Sequence, residues 1–441
     1  MEVKDPKDEL NSENYSFINE KIKERPINKK KLIKKTVITV SMAVVFGMVA
    51  CVTFLVLEPV ISNWLNPEVI PKVEFPDEEE ETLPEEMLTE EQNQQEIVKQ
   101  VVEKVELPTQ ENFNEVLTID TYQALYEKLY QRTEESKGFM ATVTGVTQDV
   151  DWFQNTVENE NSTAGIVIAD NSVEILVLAY IANLGEADSY KITLVGDEVA
   201  EATLKMSDVT TGLGVFAVKR ETLSQVCVDC IQIATLGNSN AATIIGRPIL
   251  AIGRPIGQNG SVCYGAVTST GTTLDYSDAT FHVLTTDMYG NEKSSGVLIT
   301  TTGEVVGIIT DYALSVTEGN VICAVGVSEL REYIEKMSNG EAVPYLGVHG
   351  MDVTEKAHTE LGVPYGAYIT AINPESPAMT AGIMNGNVIT KINDTEITDY
   401  EDYKKAIFLL KPEQIIKVTI MQAIGDEYKS VVVEVNVGSA K

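Results

Sequence analysis

Hydrophobic and polar positions change rhythm several times along this chain. Residues 36–57, TVITVSMAVVFGMVACVTFLVL, are twenty-two consecutive residues without a charge. At about 1.5 Å of rise per residue, a helix of that length crosses a hydrocarbon core of about 30 Å. A buried helix would show a polar face, and this run has none. A signal peptide would have a shorter core and a small-residue cleavage site, whereas here the run ends in Leu57-Glu58-Pro59. The pattern predicts an uncleaved transmembrane helix over 36–57.

The next rhythm is polar. Residues 58–117 read as an acidic linker: PDEEEETLPEEMLTEE repels itself and extends, standing off the membrane. Within it Ile97, Val101, Val102 and Val105 recur at helical spacing, a stripe that permits self-association or packing on the next domain. Residues 118–136 predict a helix with Leu125, Leu129 and Tyr130 on one side. From Phe139 onward the texture becomes short β-rich runs, among them MATVTGV, AGIVIA, VEILVLAYIA, YKITLVG, LGVFAVK and PILAIG, separated by Gly, Asn and Asp. Many short strands at this spacing predict a barrel or sandwich rather than a βαβ sheet. VSELREYIEKM, residues 327–337, predicts a helix that closes the region.

Charge adds an orientation. The chain has 441 residues and a formal charge of −33, yet residues 1–35 hold ten Lys/Arg against seven Asp/Glu. That tail is therefore +3 and the remainder −36, which argues against nucleic acid as a partner. Lys29, Lys30, Lys31, Lys34 and Lys35 abut the apolar run. The positive-inside rule keeps residues 1–35 cytoplasmic and places the bulk of the chain outside the cell membrane. Five cysteines are too few for a disulfide framework. The Cys227/Cys230 pair has no second pair at zinc spacing and no thioredoxin-like context, so it reads as structural or as a simple local disulfide. No motif calls for a metal or cofactor.

Residues 139–435 contain, in order, segments that resemble the HtrA/DegP group of trypsin-like serine proteases. The resemblance implies a mainly β fold: a trypsin-like double β-barrel over 118–340 and an α+β PDZ domain over 341–441. In the group a strand runs into a T-N-N-H-V turn that bears the catalytic histidine. Here the match is Val177, Leu178, Ala179, Tyr180 and Ile181, which puts Tyr180 at the histidine position. The group's D-L-A-V matches Gly212, Leu213, Gly214 and Val215, which puts Gly212 at the aspartate position and leaves Asp208 as a turn residue. The G-N-S-G-G-P-L pattern, counted back from Gly303, places the nucleophile at Ser294; counted forward from Asp287 it gives Ser295. The strand Val297–Thr301 fixes the nearer register and favours Ser294.

A serine hydroxyl is a poor nucleophile until a positioned base takes its proton. The whole chain has three histidines, His282, His349 and His358, none between the membrane and residue 281, where the group's order requires one. Tyrosine, with a reference pKa of about 10, is a poor base. His282 is the remaining alternative, twelve residues before the serine in a strand-like run. Glu292 replaces a glycine of the oxyanion hole and Lys293 an asparagine; negative charge there opposes the charge that must develop. The sequence thus predicts a degenerate site.

The C-terminal part resembles a bacterial PDZ domain. Tyr345, Leu346, Gly347 and Val348 match the carboxylate-binding loop, Ser376-Pro377-Ala378 a short helix, and Gly386-Asn387-Val388-Ile389 the strand after it. The resemblance implies that a peptide adds as a strand beside Val348 while loop amides receive its terminal carboxylate. A helix near 399–410, capped by a Thr398/Glu401 box, would form the other wall, with Tyr403, Ile407 and Leu410 lining it. The reading that follows is a membrane-anchored, catalytically inactive homologue that binds C-termini or exposed segments of proteins at a bacterial cell surface. It would act as a scaffold or regulator, alone, as a homo-oligomer, or with an active relative. The alternatives are an active, divergent endopeptidase degrading unfolded envelope proteins, and a structural spacer.

Overall fold

A computed structural model describes residues 37–49, 71–76, 118–150, 156–240, 243–310, 313, 320–425 and 427–439. Residues 37–49 are helical, and their apolar side chains, Phe46 and Met42 among them, are exposed. Among the described residues no helix is long and apolar enough to cross a membrane. The remainder of the apolar run and the 97–105 stripe lie outside the described residues.

After the segment at 71–76 comes helix α1 (Ile119–Ser136), capped by Thr118, whose hydroxyl accepts the Thr121 N–H. Two six-stranded antiparallel barrels follow. The first contains β1 (Met140–Val150), β2 (Thr156–Asp170), β3 (Glu174–Tyr180), β4 (Ser189–Leu194), β5 (Glu198–Asp208) and β6 (Leu213–Lys219), closed in the order β1-β2-β3-β6-β5-β4. A short helix, α2 (Gln225–Cys230), leads out of it. The second contains β7 (Pro248–Arg254), β8 (Ser261–Tyr276), β9 (Ala279–Tyr289), β10 (Ser295–Thr300), β11 (Val305–Ile309) and β12 (Val321–Gly326), closed as β10-β11-β12-β9-β8-β7. Helix α3 (Val327–Ser338) packs Leu330, Ile334 and Met337 onto the junction.

The unbroken apolar runs have a simple cause. In β3 alternate side chains enter different cores: Ile175, Val177 and Ala179 fill the first barrel, while Leu176, Leu178 and Tyr180 face the layer between the barrels. In β7, Ile249 and Ala251 fill the second barrel and Leu250 and Ile252 the shared layer. A strand buried on both faces cannot alternate apolar with polar residues. Cys227 is buried against the first barrel and Cys230 is exposed; both are free thiols, so the pair forms no local disulfide.

The last unit is a β-sheet with short helices. It comprises β13 (Pro344–Tyr345), β14 (Val348–Asp352), β15 (Ala367–Ile372), β16 (Val388–Ile392), β17 (Thr395–Glu396), β18 (Ile415–Ile424), β19 (Glu427–Asn436) and β20 (Gly438–Ser439). Its main sheet runs β14-β15-β16-β18-β19, so β14 is an edge strand. Helices α4 (Glu355–Leu361), α5 (Pro377–Thr380) and α6 (Tyr400–Phe408) complete it. The cap of α6 differs from the expected Thr398/Glu401 box. Asp399 is the N-cap and accepts the Asp402 N–H, while the Thr398 hydroxyl donates to the Asp402 carboxylate. Asp is a better N-cap than Thr, and here it takes the position one residue further on.

Candidate functional site

The ends of β3 and β5 and the turn into β6 bring the first two positions of interest together. Tyr180 pairs with Leu213 across the β3–β6 ladder and is 5 % exposed. Gly212 has φ +69°, and a Cβ placed on it would lie 2.6 Å from Cε2 of the Tyr180 ring. The ring therefore occupies the space that any side chain at 212 would need. Asp208 serves the turn: its carboxylate accepts the N–H groups of Thr210 and Thr211 and the Thr211 hydroxyl, at 3.2, 3.1 and 2.7 Å. Burial pushes its pKa up, against the pull of those hydrogen bonds.

Ser294 is fully buried. Its hydroxyl donates to the Pro255 carbonyl at 2.6 Å and accepts the Asn291 N–H at 2.8 Å. Its own backbone N–H donates to the Asn291 carbonyl at 2.9 Å. The hydroxyl is thus engaged by Pro255 and Asn291, and the amide by Asn291. The neighbouring Ser295 hydroxyl accepts the Ala164 N–H at 3.2 Å, so it too ties backbone together. Glu292 and Lys293 are exposed. Sequence reasoning missed Asn291, the organiser of this turn, whose side chain also donates to the Ile256 carbonyl and accepts the Lys293 N–H.

The histidines are engaged elsewhere. His282 bonds Glu329 of α3 at 2.5 Å, His349 bonds Asn373, and His358 bonds the Val363 carbonyl and stacks on Tyr365. Ser294 is hydrogen-bonded to none of them. Among the described residues no group of three or more His, Cys, Asp or Glu side chains could hold a metal ion.

The loop before β14 is organised differently. Gly347 takes φ +84°, and a Cβ there would lie 2.4 Å from the Ser376 side chain, so only glycine fits. The Leu346 and Gly347 carbonyls are held by the Ala378 and Asn373 N–H groups, which leaves the loop amides pointing the other way. The N–H groups of Leu346, Gly347 and Val348 converge on the carboxylate of Asp278, at 2.7, 2.7 and 3.0 Å. The Tyr403 hydroxyl donates to the same carboxylate at 2.6 Å. Burial pushes the pKa of Asp278 up, while the four donors pull the other way. Tyr403, Ile407 and Leu410 are buried in the core of this unit with Leu346 and Val348. A cavity of about 510 Å³ lies beside the loop, and Tyr180, Gly212, Tyr276, Tyr345 and His349 are among its walls. Tyr180 and Gly212 of the first barrel and Tyr345 at the start of the loop therefore border one space.

Residues 344–437 match a PDZ domain family model. Over 269 residues the chain is 27 % identical to the serine protease Do-like HtrB of Bacillus subtilis, covering 56 % of each chain. Over 270 residues it is 28 % identical to the serine endoprotease DegS of Haemophilus influenzae, covering 59 % of this chain and 74 % of DegS. The chain is similar to serine proteases of the HtrA type, and its PDZ domain follows the part that resembles their barrels. It spans about half the length of HtrB. A solved structure titled as the HtrA-type protease AlgW with a decapeptide superimposes with a TM-score of 0.52, at 20 % identity, over 70 % of this chain and 98 % of that one. That likeness speaks for the fold: a trypsin-like double barrel followed by a PDZ domain.

Proposed function

We propose that this chain is a membrane-anchored HtrA relative without trypsin-type activity, and that its PDZ domain binds the C-termini of extracytoplasmic proteins. One observation carries the binding: three consecutive loop amides converge on one carboxylate. Backbone N–H groups arranged this way are a receptor for an anionic chain terminus, and an edge strand beside them accepts the rest of the peptide as an added strand. The loss of activity is supported by the Tyr180 ring over Gly212 and by the engaged hydroxyl of Ser294. A serine without a base has no path for its proton. The anchor is supported by the uncharged run at 36–57 and the lysines before it, which orient the PDZ domain outside the cell. The barrels then act as the scaffold that presents it.

The test is hydrolysis of a permanently unfolded protein by the full chain in detergent, beside its Ser294→Ala variant, with capture of free-carboxylate peptides measured in parallel. The expected result is equal, background hydrolysis and peptide capture that amidation abolishes. Cleavage by the parent but not by the variant would establish an endopeptidase, with His282 the first base to examine.

A further inference from the structure

The carboxylate in the PDZ loop belongs to the protein itself. Asp278 stands at the tip of the β8–β9 turn of the second barrel, 7 % exposed, with φ +63°. A left-handed backbone is unfavourable for any residue with a Cβ, and Asp and Asn tolerate it best. From this position the side chain satisfies all three loop amides, and Tyr403, itself fully buried, supplies a fourth donor. The backbone of Asp278 makes the contact an incoming strand would make first: its N–H donates to the Val348 carbonyl at 2.8 Å, on β14, the edge strand. Side chain and main chain together reproduce the two halves of terminal-peptide recognition, the carboxylate cradle and the first rung of strand addition. Packing of Tyr333 and Lys336 of α3 against Phe408 of α6 holds the same two domains together nearby.

We infer that Asp278 is an intramolecular ligand of the PDZ loop, so that an external C-terminal carboxylate enters only by exchange with it. The exchange half of this statement rests on the peptide-binding reading above. A tethered ligand acts at an effective concentration set by its geometry and weakens every competitor by the fraction of time it occupies the site. Weak termini are then excluded, and a terminus that binds strongly enough frees the β8–β9 turn and loosens the PDZ domain from the barrel. Occupancy of the loop by a peptide and docking of the two domains through Asp278 are mutually exclusive, because both use the same three N–H groups.

The experiment uses the full chain in detergent and the variants Asp278→Ala and Asp278→Asn. Asn keeps the left-handed turn, so a change common to both reports the lost carboxylate rather than a strained backbone. The probes are amide hydrogen exchange at Leu346–Val348 and binding of a randomised decapeptide pool with free C-termini, beside the same pool amidated. Both variants are expected to exchange these three amides at least about 10-fold faster, and to bind the free-carboxylate pool at least about 10-fold more tightly with no gain for the amidated pool. Unchanged exchange in both variants overturns Asp278 as the ligand. Faster exchange with no binding of either pool keeps Asp278 as a docking ligand and overturns the peptide-binding reading instead. Faster exchange with equal binding by parent and variants overturns the exchange model.

Discussion

The ring of Tyr180 lies where a side chain at position 212 would have to be, 2.6 Å from the Cβ that Gly212 lacks. Tyr180 and Gly212, which look independent in the sequence, thus form one packing arrangement. With a buried ring at 180, glycine is required at 212; with an aspartate at 212, the ring would have to move.

Gly212→Asp is therefore expected to destabilise the first barrel by about 2–4 kcal/mol, through overpacking and a buried carboxylate. In a Tyr180→Ala background the same substitution should cost at least about 1 kcal/mol less, because the two sites share one space. Denaturant unfolding of the four proteins of the cycle measures this coupling, and additivity would contradict the shared packing.

Ser294 is expected to behave as a structural residue. Ser294→Ala leaves the Pro255 carbonyl and the Asn291 N–H without their buried partner. The expected loss is about 1–3 kcal/mol of stability, with hydrolysis of an unfolded protein unchanged. Calorimetry and a proteolysis assay on the same samples separate this outcome from a catalytic role.

Gly347→Val meets two obstacles, a left-handed φ and a Ser376 side chain 2.4 Å from the new Cβ. The loop should distort and the amides of residues 346–348 lose their common target. Peptide capture is expected to fall to background, even in an Asp278→Ala chain, while far-ultraviolet circular dichroism is retained.

Asn339 holds the segment at 71–76 to the barrels. Its side chain accepts the Val73 N–H and donates to the Val73 carbonyl, each at 2.9 Å, and the Arg331 guanidinium donates to the Pro76 carbonyl at 2.7 Å. Asn339→Ala should release this strap, with new proteolytic cleavage near residues 71–76 and little change in the barrels. Limited digestion followed by mass spectrometry reads the site directly.

Much of the fold was legible in local pattern. The helices expected at 118–136 and 327–337 are found at Ile119–Ser136 and Val327–Ser338. The β-runs from residue 139 onward correspond to real strands because backbone sterics and turn residues act within a few positions. The glycine of the carboxylate loop was readable as well, since its positive φ is a property of its own backbone. The helix α6 was placed correctly but its cap was shifted by one residue, a difference that two competing polar side chains decide.

Local sequence pattern was enough to place a PDZ domain after a run of short strands, and to single out Tyr180, Gly212 and Ser294. Only tertiary structure decided what those residues do. Tyr180 and Gly212 are thirty-two positions apart, and Asp278 is sixty-eight positions from Leu346; no local pattern connects either pair. Their relationships arise because barrel closure and domain docking bring distant turns together. There, steric exclusion and the need to satisfy buried hydrogen-bonding groups select the contacts. An aspartate in a surface-like Ser-Asp turn reads as a solvated turn residue until the domain that buries it is in place.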